Sequence, residues 1–167
     1  MATKTSINDM LLTFMQDVYY AERQILKALP KLAQASESDE LKNALMHHRD
    51  ETQGQVERLQ KAFDSLGKRA RGQTCEAIKG LIEEGEEIVE QFEQGPVRDA
   101  GILACAQAVE HYEMARYGTM VAWAKAFATE DIARLMHETL EEEKKADATL
   151  NQLARRGINQ QAVKPAA

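Results

Sequence analysis

The sequence predicts an all-α protein, a bundle built from one helical hairpin written twice. Three observations lead there. The composition is 44% hydrophobic and 29% charged but only 5% aromatic, with 3 Pro and 9 Gly, a helix-forming mixture with almost no strand signature. Apolar residues recur at three- and four-residue intervals through most of the chain, the helical period. Finally, a shift of 91 residues superposes the chain on itself. It carries Glu22 onto Glu113, Glu51 onto Glu142, Leu11-Leu12 onto Ile102-Leu103, Val18 onto Val109 and Leu29 onto Met120. The same shift carries Ser38-Asp39-Glu40-Leu41 onto Thr129-Glu130-Asp131-Ile132, and Leu59 onto Leu150.

The first helix is expected to start at Ser6, an N-cap with Asp9 at its third position, and to run to about Ala35. Its apolar stripe is Ile7, Leu11, Phe14, Val18, Ile25, Leu29 and Leu32, with Pro30 a candidate kink. Ser38 caps the second helix, whose stripe is Leu41, Leu45, His48, Thr52, Val56, Leu59 and Phe63, ending at Gly67. Lys68-Arg69-Ala70-Arg71 reads as a solvated basic linker. Thr74 starts a third helix that ends before Gly95-Pro96 and carries a mostly solvated acidic face. The fourth runs from about Val97 to Ala128, with Leu103, Ala106, Val109, Tyr117, Met120, Ala124 and Phe127 inward. Thr129 caps the fifth, which carries Ile132, Leu135, Thr139, Ala146, Leu150 and Leu153 to Gly157.

Hairpin arms of this size are roughly 40 Å long at 1.5 Å per residue. Residues 68–96 cover a comparable distance and suit a crossover along the bundle. The expected organisation is a single domain over 1–167: hairpin 6–67, crossover 68–96, hairpin 97–157, and a disordered tail 158–167. Two hairpins joined by one long crossover make a ferritin-like four-helix bundle.

Several function classes fall away. A net charge of −6 argues against nucleic acid, which needs a basic face. The first ten residues show no hydrophobic signal region, and no uncharged run approaches the roughly 18 residues of a membrane span. Cys75 and Cys105 are isolated, as expected of reduced thiols in a cytoplasmic protein.

The glutamates of the repeat carry the chemistry. In an antiparallel hairpin, residues equidistant from the turn lie level. The midpoint of Glu22 and Glu51 falls within Ser36-Glu37-Ser38, and that of Glu113 and Glu142 just before Thr129. Both pairs are expected roughly 22 Å from their own turn. Glu22 lies on the stripe of Val18, Ile25 and Leu29, and Glu113 on that of Val109, Tyr117 and Met120. Glu142 sits seven after Leu135 and four before Ala146; Glu51 is near its stripe but less central. Glu110 joins Glu113 as an ExxE pair. Glu141 and Glu143 leave the fifth helix open by one residue, with Asp147 in reserve.

Carboxylates buried without protons, cations or metal are prohibitively costly. Two divalent ions bridged by Glu22, Glu51, Glu110, Glu113 and Glu142 resolve the repulsion; hard oxygen ligands favour Fe, Mn or Mg over soft-metal chemistry, and two Fe ions are expected, with Mn as the alternative. Ferritin-like centres ordinarily take a histidine from an ExxH motif on each of two helices. Here those positions hold Gly54 and Lys145, while His48, one turn before Glu51, is the candidate nitrogen ligand. Tyr19, Tyr20, Tyr112 and Tyr117 lie near this level and can bond a ligand or carry an oxidising equivalent. A different reading closes the polar centre with Lys145 and tyrosine hydrogen bonds, leaving a metal-free structural or interaction bundle. A third uses the acidic third helix as a docking face.

The segments YYAERQILKALPKLA (19–33), ETQGQVERL (51–59), CEAIKGLIEEGEE (75–87), VEHYEMARYGT (109–119) and TLEEEKKAD (139–147) resemble the YciF family over about residues 6–156. The resemblance implies a ferritin-like bundle, a homodimer and a role in bacterial stress. Glu110-x-x-Glu113 is also similar to the ExxE pair of rubrerythrin, but the rubrerythrin ExxH pairs and rubredoxin-like domain have no counterpart here. The expected protein is a stress-associated bundle with a di-metal centre that oxidises Fe(II) or consumes peroxide.

Overall fold

The structure, a computed structural model, describes residues 5–127 and 130–163. Five long helices account for most of it: α1 Ile7–Ala35, α2 Asp39–Ser65, α3 Glu76–Gln91, α4 Pro96–Phe127 and α5 Glu130–Leu153. A π-helical turn, Ala154–Ile158, and a short α6, Asn159–Ala162, follow. There is no strand among the described residues.

Local chemistry sets the boundaries. The Ser6 hydroxyl accepts the Asp9 amide at 3.1 Å and donates to the Asp9 carboxylate at 2.6 Å, so the two residues cap each other. Helix α1 continues through Pro30 to Ala35. At the end of α2, Gly67 adopts φ +63°. There Lys68 N–H reaches Phe63 O at 3.0 Å and Gly67 N–H reaches Asp64 O at 2.9 Å, the paired bonds of a Schellman stop. Helix α3 begins one residue later than expected: Cys75 Sγ, rather than Thr74, accepts the Ile78 amide. The expected Thr129 cap lies outside the described residues.

Helices α1 and α2 pack as one antiparallel hairpin and α4 and α5 as the other; α2 also packs on α5, and α1 on α4. Every neighbouring pair in this square runs antiparallel, because Asp99 at the start of α4 meets the α1–α2 turn. The chain therefore has to travel the length of the bundle between hairpins, and α3 makes that crossover against α1 and α4. The fold is a ferritin-like four-helix bundle of two pseudo-repeated hairpins plus a crossover helix.

Two apolar layers fill the bundle. One gathers Met15, Leu59, Phe63, Met120 and Met136; the other gathers Ile25, Leu41, Ile78, Ile102 and Leu150. The polar centre lies between them. Two expectations fail at the ends. Phe127, in the last turn of α4, is 59% exposed rather than inward. Residues 158–162, expected to be disordered, are helical, and buried Ala154 and Ile158 hold this end of the chain on the second apolar layer.

Asp99 is 3% exposed and fixes the level of the first hairpin against the second, its two oxygens accepting the amides of Glu37 at 2.8 Å and Ser38 at 2.7 Å. Bonds to a charged acceptor contribute about 1.5–3 kcal/mol each, less where water can replace them. Asp99→Ala should lower unfolding free energy by about 2 kcal/mol in a urea titration, with Asp99→Asn losing less.

Candidate metal centre

Five ionisable side chains meet midway along the bundle: Glu22 from α1, His48 from α2, Glu110 and Glu113 from α4, and Glu143 from α5. Glu22, Glu113 and Glu143 are fully buried, Glu110 is 2% exposed and His48 5%. One ligand-type atom from each of His48, Glu110, Glu113 and Glu143 lies within 4.8 Å of the others. Hard cations hold oxygen at about 2.0–2.6 Å, so ligands on opposite sides of an ion stand about 4–5 Å apart. The cluster has the dimensions of a cation site.

Of the residues expected at the centre, Glu22, Glu110, Glu113 and His48 are brought together, while Glu51 and Glu142 stand at its edge. Glu51 keeps 17% of its side chain exposed, 3.3 Å from His47 Nε2 and 3.8 Å from His48 Nδ1. Glu142 points to the α2–α5 seam. There it accepts Arg58 through both oxygens, one contact being 2.8 Å to Nη1, and takes Gln55 Nε2 at 3.1 Å. Its cation is thus Arg58 and not Lys145, whose side chain is exposed. The inward residue of α5 is Glu143, one position further. The buried line of this helix is Ile132, Met136, Thr139, Glu143 and Leu150, whose steps of three, four and seven keep one face. Seven residues from Leu135 puts Glu142 on the flank of that line.

The tyrosines divide similarly. Tyr117, fully buried, donates to Glu22 Oε1. Tyr19 packs edge-on against Phe63 and accepts from Gln60, apart from the carboxylates. Tyr112 donates to Asp17 at 2.9 Å and lies 3.0 Å from Cys75 Sγ.

Burial dominates the electrostatics. It pushes Glu22, Glu110, Glu113 and Glu143 above the ordinary carboxylate range. Neighbouring charge adds to this, chiefly Glu143 for Glu22 and Glu110, and Glu22 for Glu113. His48 opposes the rise at Glu143, its Nε2 being 3.9 Å from that carboxylate and 3.3 Å from Glu110. Burial, and then Glu22, raises the Tyr117 hydroxyl far above its usual range, so it remains a donor. Glu51 moves the other way, held low chiefly by His48.

The donors are also unused. Both oxygens of Glu113 and Glu143, one oxygen each of Glu22 and Glu110, and both ring nitrogens of His48 are buried without a hydrogen-bond partner. Unsatisfied buried polar atoms are rare in native proteins and call for a reason. Carboxylates with one imidazole are the donor set that suits Fe or Mn, so these residues fit a divalent ion.

Fold and centre together define a ferritin-like bundle with a carboxylate-rich core. Its family is the one described as "Domain of unknown function (DUF892)", which matches residues 6–163, and the chain belongs to it. It is similar to Protein YciF of Escherichia coli K12, 41% identical over 158 residues that cover 94% of this chain and 95% of that one. The crystal structure of the E. coli stress protein YciF superposes with a TM-score of 0.90 at 40% identity, covering 94% of this chain and 99% of that one. A Rhodopseudomonas palustris protein, YcfI, described as a candidate structural protein, superposes with a TM-score of 0.86 at 46% identity, covering 88% and 94%.

The raised carboxylates set the pH dependence of the metal-free chain. Above the ordinary value of 4.5 the folded chain holds protons that the unfolded chain has released, so raising pH favours unfolding. Their contribution is fully present below about pH 4.5 and is lost as pH rises through the raised values. Chelator-treated protein should lose melting temperature as pH rises above about 4.5, and Glu113→Gln should flatten that decline. Thermal melts across this range provide the check; a decline of equal slope in both proteins would refute the assignment.

Proposed function

We propose that this protein is a stress-associated, cytoplasmic homodimer that binds Fe or Mn in the bundle core and oxidises Fe(II) or consumes peroxide. The observation that carries the reading is the set of buried, unpartnered donors on His48, Glu110, Glu113 and Glu143. These four would hold one ion. Glu22, with an unpartnered Oε2, stands beside them and would serve a second. Bound iron would supply the redox step.

The chain's own groups have separable tasks. Tyr117 fixes the orientation of Glu22 through its hydroxyl. Arg58 neutralises Glu142 outside the cluster, so that carboxylate does not compete for the ion. Two small cavities reach His48 and Glu110 from different sides. One, of about 40 Å³, lies beside His47, Glu51 and Lys145. The other, of about 30 Å³, is lined by Ile25, Leu29, Ile82 and Cys105. The stress association rests on likeness to E. coli YciF, named a stress protein.

A second reading is a metal-free structural bundle. It draws on the description of the Rhodopseudomonas relative and on the Tyr117–Glu22 and Arg58–Glu142 contacts, which already satisfy part of the core. Metal titration separates the two. Under anaerobic Fe(II) or Mn(II) at a hundred times Kd, a protein with the site gains about 2.7 kcal/mol in stability. Elemental analysis should find one to two equivalents. Glu113→Ala and His48→Ala should lose both effects, and Glu142→Ala should keep them. No binding by the wild type, with Glu113→Gln more stable, would establish the metal-free bundle.

A further inference from the structure

A second polar site lies on a different face of α1 from the acidic core, and its charge is reversed. Residues 68–72 run as an irregular strap across the α1 face formed by Leu12, Gln16, Tyr19, Tyr20, Arg23 and Gln24, enclosing an open groove of about 730 Å³. The chain carries 27 acidic against 21 basic residues, yet the groove is lined by Arg23, Lys68, Arg69 and Arg71 and by no carboxylate. None of the four cations forms an ion pair among the described residues. Such a concentration of one sign attracts counter-charge whatever the net charge of the molecule.

The strap is pinned at both ends. Lys68 N–H bonds Phe63 O at 3.0 Å in the α2 stop, and Gln73 N–H bonds Gln16 O of α1 at 3.0 Å. Between the pins the backbone lies against α1 so closely that a Cβ at Gly72 would stand 3.1–3.3 Å from Tyr20 Cβ, Cα and N. The main-chain amides of residues 69–72 have no acceptor within the described protein. The Arg23 guanidinium stacks 5.8 Å over the Tyr19 ring, which restrains it at the groove wall.

From this juxtaposition we propose that the groove between α1 and the strap 68–72 is a binding site for a small phosphorylated ligand carrying at least two negative charges. Arg69, Arg71 and Lys68 with the free strap amides meet the phosphate groups, guanidinium forks matching phosphate oxygens in pairs. Arg23 closes the α1 side, and Gln16, Gln24 and Tyr20 face the remainder of the ligand. A groove of 730 Å³ falls in the range of small-molecule sites, about 300–1,000 Å³.

The test is calorimetric titration of the full chain with pyrophosphate and with ADP, at low salt and without divalent ions, so that no metal bridges the probe to the acidic core. Saturable binding of one equivalent is expected, weakening as salt is raised. The double variant Arg69→Ala/Arg71→Ala should weaken it by at least about tenfold, the loss expected from one or more charge-assisted contacts. Gly72→Val keeps all four cations but forces the strap off Tyr20, and it too should weaken binding, with helix content unchanged by circular dichroism. Lys125→Ala, at a cation that lines a different groove with α5, should bind as the wild type does. Absence of binding, or equal binding by the double variant, would overturn the proposal. So would undiminished binding by folded Gly72→Val, which would show a diffuse field rather than a shaped site. Binding of an eight-nucleotide oligothymidylate with neither small probe would overturn it in favour of a nucleic-acid surface.

Discussion

Taking a carboxylate out of water costs several kcal/mol unless it is paired, and this bundle buries Glu22, Glu110, Glu113 and Glu143 together with at least one oxygen of each left unpaired. Much of the architecture bears on that constraint. The turn at Ser36–Ser38 is clamped by Asp99 so that α1 and α4 present their glutamates together. Apolar layers above and below confine the polar atoms to the middle of the bundle. Protons relieve the repulsion in the metal-free chain, and a divalent ion would relieve it further while using the donors left unpaired.

The two halves of the repeat are alike in geometry and unlike in chemistry. Positions 22 and 113 are both buried glutamates. Among the fully buried polar residues of α2 and α5, Thr52 and Glu143 are also 91 residues apart, and only the second is acidic. Thr52 spends its hydroxyl on the His48 carbonyl at 2.8 Å. The nitrogen donor thus enters from His48 on α2 alone, while Arg58 of the same helix crosses to Glu142 of α5 and joins the two halves with an ion pair. An asymmetric centre on a pseudo-symmetric scaffold distinguishes this bundle from a ferritin-like centre with one histidine from each of two helices.

The protein also separates charge across α1. Its inner face bears Glu22, while its outer face carries Arg23 and borders the cationic strap. Adjacent residues on a helix point about 100° apart, so one helix can serve a site that attracts cations and a groove that attracts anions without the two meeting.

Helix spans, the doubled hairpin, the crossover and the level of the glutamates were legible in the sequence, because each follows from local periodicity and chain length. Glu22, Glu110, Glu113 and His48 sit on stripes whose apolar neighbours mark them as inward. The choice between Glu142 and Glu143 was not legible. The repeat aligns Glu51 with Glu142, and three consecutive glutamates blur the period. The steps from Met136 and Thr139 to Glu143 and on to Leu150 hold the remaining signal. Tyr117 meeting Glu22, Arg58 meeting Glu142, and the strap meeting Tyr20 were equally out of reach. A side chain's own helix fixes the face it lies on, but its partner depends on how two helices are rotated against each other, and only tertiary packing decides that.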